Sequence, residues 1–291
     1  MRRGLAIGYV AVVAMALIAI GTRPVAFQKV AVIERGVGDS APGAVAVGAR
    51  LNVDSVIGGI PYALEERMVW DVEPRSKYRR TILEGAGNCS NLVFGLAYHL
   101  EASSVDYQIV HIMHPETFLD GDGHTVIRTH FRHAGIEQIG LVDVREAALP
   151  RSGGRFLDVA DLRAGPVSEF AMEKVVERRD RSSFYYASYL AEAAIGVIPA
   201  SEVRRYFRFV ETLYVPFGSR RLEKYVYDGL AVMLGFYPTI YGEDLPRLAG
   251  RNRAEWVLFP GSLWLLRSAV IVLPLLGWAG LRKRRRARYS T

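Results

Sequence analysis

Hydrophobic positions along this 291-residue chain fall into distinct textures. One unbroken apolar run, Leu5 to Ile20, follows Arg2 and Arg3. A second, Trp256 to Leu281, precedes Arg282-Lys-Arg-Arg-Arg286 and Arg288. Between them, Cys89, Val93, Leu96, Ala97 and Leu100 recur at helical spacing. Asn88 stands just before them as an N-cap, so the spacing predicts a helix whose buried side opens on the cysteine. Tyr107 to Met113, His124 to Phe131 and Ile139 to Val144 are strand-like, separated by a long turn (His114 to Gly123) and by Gly135. On the second strand His124, Val126, Arg128 and His130 share a face. A helix followed by a three-strand meander predicts an antiparallel sheet packed on the cysteine helix.

From Ala164 to Leu248 the texture becomes helical, with helices expected over Val167–Arg179, Ser183–Ala194, Ser201–Tyr214 and Arg220–Leu234. Gly196, Pro199, Pro216 and Gly218 punctuate them. Pro24 to Ser55 is rich in Gly, Ala and Val around the breaker cluster Gly36 to Gly43, and Pro61 to Trp70 reads as a short helix. The organisation expected is an N-terminal anchor (1–23), a linker (24–60), an α+β core (61–150), a helical extension (151–255), a C-terminal transmembrane helix (256–281) and a basic tail (282–291).

Charge changes the picture less than its total suggests. The formal net charge is +7, but eight of the 37 basic residues flank the two apolar segments. The remaining 29 face 30 acidic residues, so the body is near neutral and nucleic acid is excluded as a main partner. Basic flanks on both apolar runs predict two membrane anchors with both termini cytoplasmic and the main domain outside the cytoplasm. Arg267 would then snorkel to the outer interface. A cleaved signal peptide is the alternative for the first run.

Cys89 is the only cysteine, which rules out intrachain disulfides. Most free cysteines are small buried hydrophobes. This one sits in Glu84-Gly-Ala-Gly-Asn-Cys-Ser-Asn91 at a helix start, followed by a histidine opening a strand and by Asp143 closing the next. A helix N-terminus and an imidazolium both lower a thiol pKa. All six histidines fall between His99 and His133, yet no His-Glu-x-x-His pattern and no second cysteine accompany them, so no metal site is assigned. Asp120-Gly-Asp-Gly123 lacks the ligand series of a calcium loop and reads as a tight turn aiming His124.

The run Gly87-Asn88-Cys89, then Gly123-His124-Thr-Val-Ile-Arg128, then Leu141-Val-Asp143 resembles the transglutaminase-like superfamily of papain-fold cysteine enzymes. The resemblance covers about residues 80 to 150, and this chain departs from the family pattern at Val126 and Gln108. It implies a papain-like core with Cys89 as nucleophile, His124 as general base and acid, and Asp143 as orienting carboxylate. The Cys89 N–H would supply half of an oxyanion hole, with Asn88 or Trp70 as side-chain candidates. The activity implied is acyl transfer through a Cys thioester on a peptide or isopeptide amide, without a cofactor. Expected partners are a peptide or protein substrate, the lipid bilayer, and envelope-complex proteins docking on the helical extension. The placement expected is the inner membrane, crossed twice, with a periplasmic main domain. Two alternatives stand beside it: a catalytically inactive binding module of an envelope or export complex, and a metal-dependent hydrolase built on the histidine cluster.

Overall fold

Alternation along one strand decides the architecture. Tyr107, Ile109 and Met113 enter one apolar cluster, while Val110 and Ile112 enter another. That strand is therefore covered on both faces. The computed structural model describes residues 2–27, 30–32, 45–62, 68–114, 123–178, 181–242, 258–259 and 261–268.

In chain order the elements are α1 (Arg2–Thr22), α2 (Pro24–Phe27), β1 (Val30–Val32), β2 (Leu51–Asn52), α3 (Val53–Val56), α4 (Pro74–Tyr78) and α5 (Cys89–Ala102). A single π turn, Arg79–Leu83, joins α4 to the approach of α5. Then come β3 (Tyr107–Met113), β4 (Gly123–His133), β5 (Ile136–Val142), β6 (Ala148–Ser152), β7 (Arg155–Phe156), α6 (Val159–Arg163) and β8 (Phe170–Lys174). The described elements close with α7 (Ser183–Ala187), β9 (Ala194–Pro199), α8 (Ala200–Leu213), α9 (Arg220–Leu234) and β10 (Ile240–Gly242).

The main sheet runs β1-β10-β9-β3-β4-β2, with β5 also paired to β4, and β7-β6-β8 form a small second sheet. The expected meander is present: β3 pairs antiparallel to β4 and β4 to β5. Packed on one face, α5 contributes Leu92, Val93, Leu96, Ala97 and Leu100, which share a core with Val203, Tyr206, Phe207 and Val210 of α8. Tyr186, Leu190, Leu157 and Leu162 cover the other face.

Three sequence expectations are corrected. Of the stretch Val167–Arg179, the described residues 167–178 are no helix: they contain β8, whose backbone is taken by β6. The segment Ser183–Ala194 holds only the short α7 and a 3₁₀ turn at Tyr189–Ala191. The region after residue 150 is therefore no purely α-helical extension, because β9 enters the centre of the main sheet between β3 and β10. By contrast, α8 and α9 lie where the spacing placed them. Of Pro61–Trp70, the described ends, 61–62 and 68–70, are not helical.

Among the described residues no helix is long and apolar enough to cross a membrane. This overturns the two flanking transmembrane helices and, with them, the two-pass inner-membrane placement of a periplasmic domain. The apolar surface of α1 is used for packing: α1 lies along α9, and a Cβ on Gly229 would collide with the Leu17 carbonyl. Ile20, Val232 and Leu263 form a small buried cluster there. Arg267 has a local role as well. Its guanidinium donates to the Met233 and Val232 carbonyls at 2.7 and 2.5 Å, which satisfies the C-terminal end of α9. Residues 269–291 lie outside the described residues.

Candidate functional site

Cys89 opens α5, and the local sequence enforces that position. Asn88 accepts a hydrogen bond from the Asn91 N–H at 2.9 Å, and the Asn91 side chain returns one from the Asn88 N–H at 3.4 Å, forming a capping box. Gly87 precedes them at φ +118°, where a Cβ would lie 2.6 Å from that of Asn91. The Asn91 amide also clamps Val69, accepting from its N–H and donating to its carbonyl at 3.1 and 3.2 Å.

His124 is placed by β4. Gly123 opens the strand at φ +137°, and a side chain there would strike the Ile112 carbonyl of β3. The glycine thus lets β4 start tight against β3, with His124 as its second residue. Asp143 follows the end of β5 and bridges to Ala148.

These elements bring the three predicted side chains together. His124 Nε2 lies 2.6 Å from Asp143 Oδ2, with both side chains fully buried. Asp143 also accepts from the Tyr186 hydroxyl at 2.9 Å and from the Glu146 N–H at 3.2 Å, so the carboxylate is held from three directions. The imidazole is stacked on Tyr185, with centroids 4.8 Å apart and an interplanar angle of 12°, and Tyr186 meets it edge-on. Nε2 being engaged, Nδ1 is left buried without a hydrogen bond at ordinary distance. It is the atom available to the Cys89 thiol, whose charge is coupled to this ring.

Electrostatics favour an ion pair. Burial works against charge on His124, but Asp143 and then Cys89 more than offset it, and its pKa rises from 6.5 to about 10. Burial likewise pushes the Cys89 thiol up. Its interaction with His124, the Thr125 N–H and the Arg145 cation outweigh that and bring the pKa below its ordinary 9.0. β5 ends at Val142, opposite Ile127, so Thr125 lies beyond the reach of its ladder. His111, half-buried one strand over and bonded to Thr125 Oγ1 at 3.0 Å, is held down at about 4 by desolvation and by His124. The two neighbouring imidazoles therefore shift in opposite directions, because only His124 faces a carboxylate.

The oxyanion candidates are placed differently from each other. Asn88 is committed as the helix cap, and its Nδ2 reaches Met68 Sδ at 3.6 Å. Trp70 packs edge-on against Tyr225 with Arg221 over its ring. The first intrahelical bond of α5 is from Leu92 N–H to the Asn88 carbonyl, and Asn91 N–H is capped, so Cys89 and Ser90 carry the open donors of the helix start.

The remaining histidines are dispersed. His133 lies between Asp54 and Glu173 at 2.5 and 3.0 Å, His114 faces Glu192, and His99 stacks on Tyr78. Among the described residues, no group of three His, Cys, Asp or Glu side chains is placed to hold a metal. Asp120 and Asp122 lie outside the described residues.

Sequence reasoning missed Tyr186 and Tyr185, which it placed within an expected helix, Ser183–Ala194. An aromatic doublet far downstream carries no signal of which strand end it will cover. No family model, curated protein or solved structure matches this chain.

Proposed function

We propose that this protein is a cysteine acyl-transfer enzyme of transglutaminase-like type that acts on a peptide or isopeptide amide. The observation that carries the reading is the 2.6 Å contact of His124 Nε2 with buried Asp143, which leaves Nδ1 to the thiol. In the reaction, His124 Nδ1 takes the Cys89 proton and the thiolate attacks the amide carbon. The oxyanion formed is met by the N–H groups at the start of α5. The C–N bond then breaks, His124 returns the proton to the departing amine, and a thioester remains on Cys89. Water, deprotonated by His124, attacks the thioester carbon, and the C–S bond breaks to release a carboxylic acid and the thiol. An amine in place of water would give transamidation. Asp143 fixes the ring tautomer and stabilises the imidazolium.

Burial of the triad favours one second reading. Cys89 is only 8% exposed and His124 1%, which suits a catalytically silent fold serving as a binding module. Iodoacetamide kinetics against pH decide between them. The enzyme requires Cys89 alkylation at neutral pH well above that of free cysteine, lost in His124→Ala. Alkylation of the wild type only at alkaline pH, with no turnover of peptide amides, would leave the binding module.

A further inference from the structure

Lys77 lies in α4 and is 7% exposed, yet among the described residues no carboxylate or carbonyl pairs with its ammonium. Its one neighbour of note is the Phe94 ring, 5.7 Å from the nitrogen. Its stem is buried, and the side chain borders a cavity. Burial is the main reason its pKa falls to about 8, with Lys224 adding to the fall and Asp228 and Asp71 opposing it.

The carboxylates that act on Lys77 are already engaged. Asp228, fully buried, accepts the Tyr206 hydroxyl on Oδ1 at 2.6 Å and Lys224 on Oδ2. Asp71 faces Arg220 at 3.4 Å and Arg80 at 3.9 Å. Lys77 thus adds positive charge to a cavity of about 360 Å³ whose other charged lining residues are Arg23, Lys224 and the already engaged Asp228. Asn88 and Ser90, the neighbours of Cys89 in the chain, line the same cavity at the start of α5, where open N–H groups also favour an anion. Trp70, Phe94 and Tyr225 supply apolar walls. The volume falls within the range of small-molecule sites.

We infer that this cavity binds a monocarboxylate carried on an aromatic or branched apolar body. The carboxylate would pair with Lys77, and the body would lie against Trp70, Phe94 and Tyr225. Two sources have this chemistry: a free small acid and the C-terminus of a peptide. The inference does not rest on thiol reactivity.

Calorimetric titration of the full-length protein at neutral pH tests it. The probes are N-acetyl-phenylalanine, acetyl-Gly-Gly-Phe, and the C-terminal amide of each. At least one acid should bind saturably, its amide at least tenfold more weakly, and Lys77→Met should weaken the acid at least tenfold. Binding of the short acid points to free acids, and binding of the tripeptide acid alone points to peptide termini. Lys77→Met removes an unpaired charge, so its melting temperature should not fall. Lys77→Arg, which keeps the charge, should bind the acid more tightly than Lys77→Met. Cys89→Ser should bind as the wild type does, and iodoacetamide kinetics on Lys77→Met report the thiol separately. Failure of both acids to bind, equal binding of acid and amide, or full affinity in Lys77→Met would each overturn the inference.

Discussion

Replacing Asp143 by Asn removes one charge from the site while keeping the size, and the one remaining oxygen serves either Tyr186, which donates to Oδ2, or Glu146, whose N–H donates to Oδ1. The magnitude follows from the imidazole. Its rise from 6.5 to about 10 corresponds to roughly 5 kcal/mol of preference for the imidazolium, at about 1.4 kcal/mol per tenfold. Asp143 supplies the larger part and Cys89 the rest. Losing the carboxylate therefore costs the cation on the order of 3 kcal/mol, about a hundredfold in the thiolate–imidazolium population. The assay is the second-order rate of Cys89 alkylation by iodoacetamide from pH 5 to 10. The wild type should show a midpoint below 9.0, and Asp143→Asn should move it upward with about a hundredfold loss of rate at neutral pH. Stability gives an independent check. A histidine whose folded pKa is raised contributes stability that is complete below 6.5 and fades as pH climbs toward about 10. Urea midpoints of the wild type should decline across that window, and those of Asp143→Asn should decline less. An unchanged alkylation profile in the variant would refute the argument that the carboxylate sets the charge of the pair.

Further predictions concern the supports of the site and the packing of the first helix. Tyr186→Phe removes one of three donors to Asp143 and should cost about 1–3 kcal/mol in urea unfolding, because a buried acceptor loses a partner. Gly87→Ala imposes a side chain at φ +118° against Asn91 and should lower stability by about 1–3 kcal/mol, with slower Cys89 alkylation as the helix start shifts. Gly229→Leu should dislodge α1 from α9 and raise hydrogen exchange in both helices, while leaving β3 and β4 protected.

What the sequence made legible was local and chemical. Asn88 and the stripe behind it foretold α5, and alternation along His124 to Phe131 foretold β4 and its neighbours. The order of Cys89, His124 and Asp143 foretold their meeting, since a helix start and two successive strand ends converge at one edge of such a meander. Other features depended on partners remote in sequence. Ala194–Pro199 reads as broken by Gly196 and Pro199, yet it is a fully buried strand. The glycine is there because Ile240 Cγ2 and Met113 Cε lie 2.5 and 2.6 Å from where its Cβ would be, and Pro199 both ends the strand and precedes α8. β8 was hidden because its strand state comes from pairing with β6 rather than from its own periodicity. The apolar run of α1 misled for a related reason. Hydropathy does not distinguish a helix that crosses a bilayer from one that packs on a neighbour, and only Gly21 and Gly229 hint at the second. Lys77 carried no signal at all, because its isolation depends on Tyr206 and Lys224 occupying Asp228.

At the centre of the site is a charged ring between a carboxylate and a sulfur. ¹⁵N chemical shifts of the His124 imidazole near pH 8, in protein labelled at histidine, read that charge directly. Both ring nitrogens should appear protonated, and the signal of the neutral form should emerge only as the pH approaches 10. A ring that is already neutral at pH 8, titrating near 6.5 like a free histidine, would contradict the account.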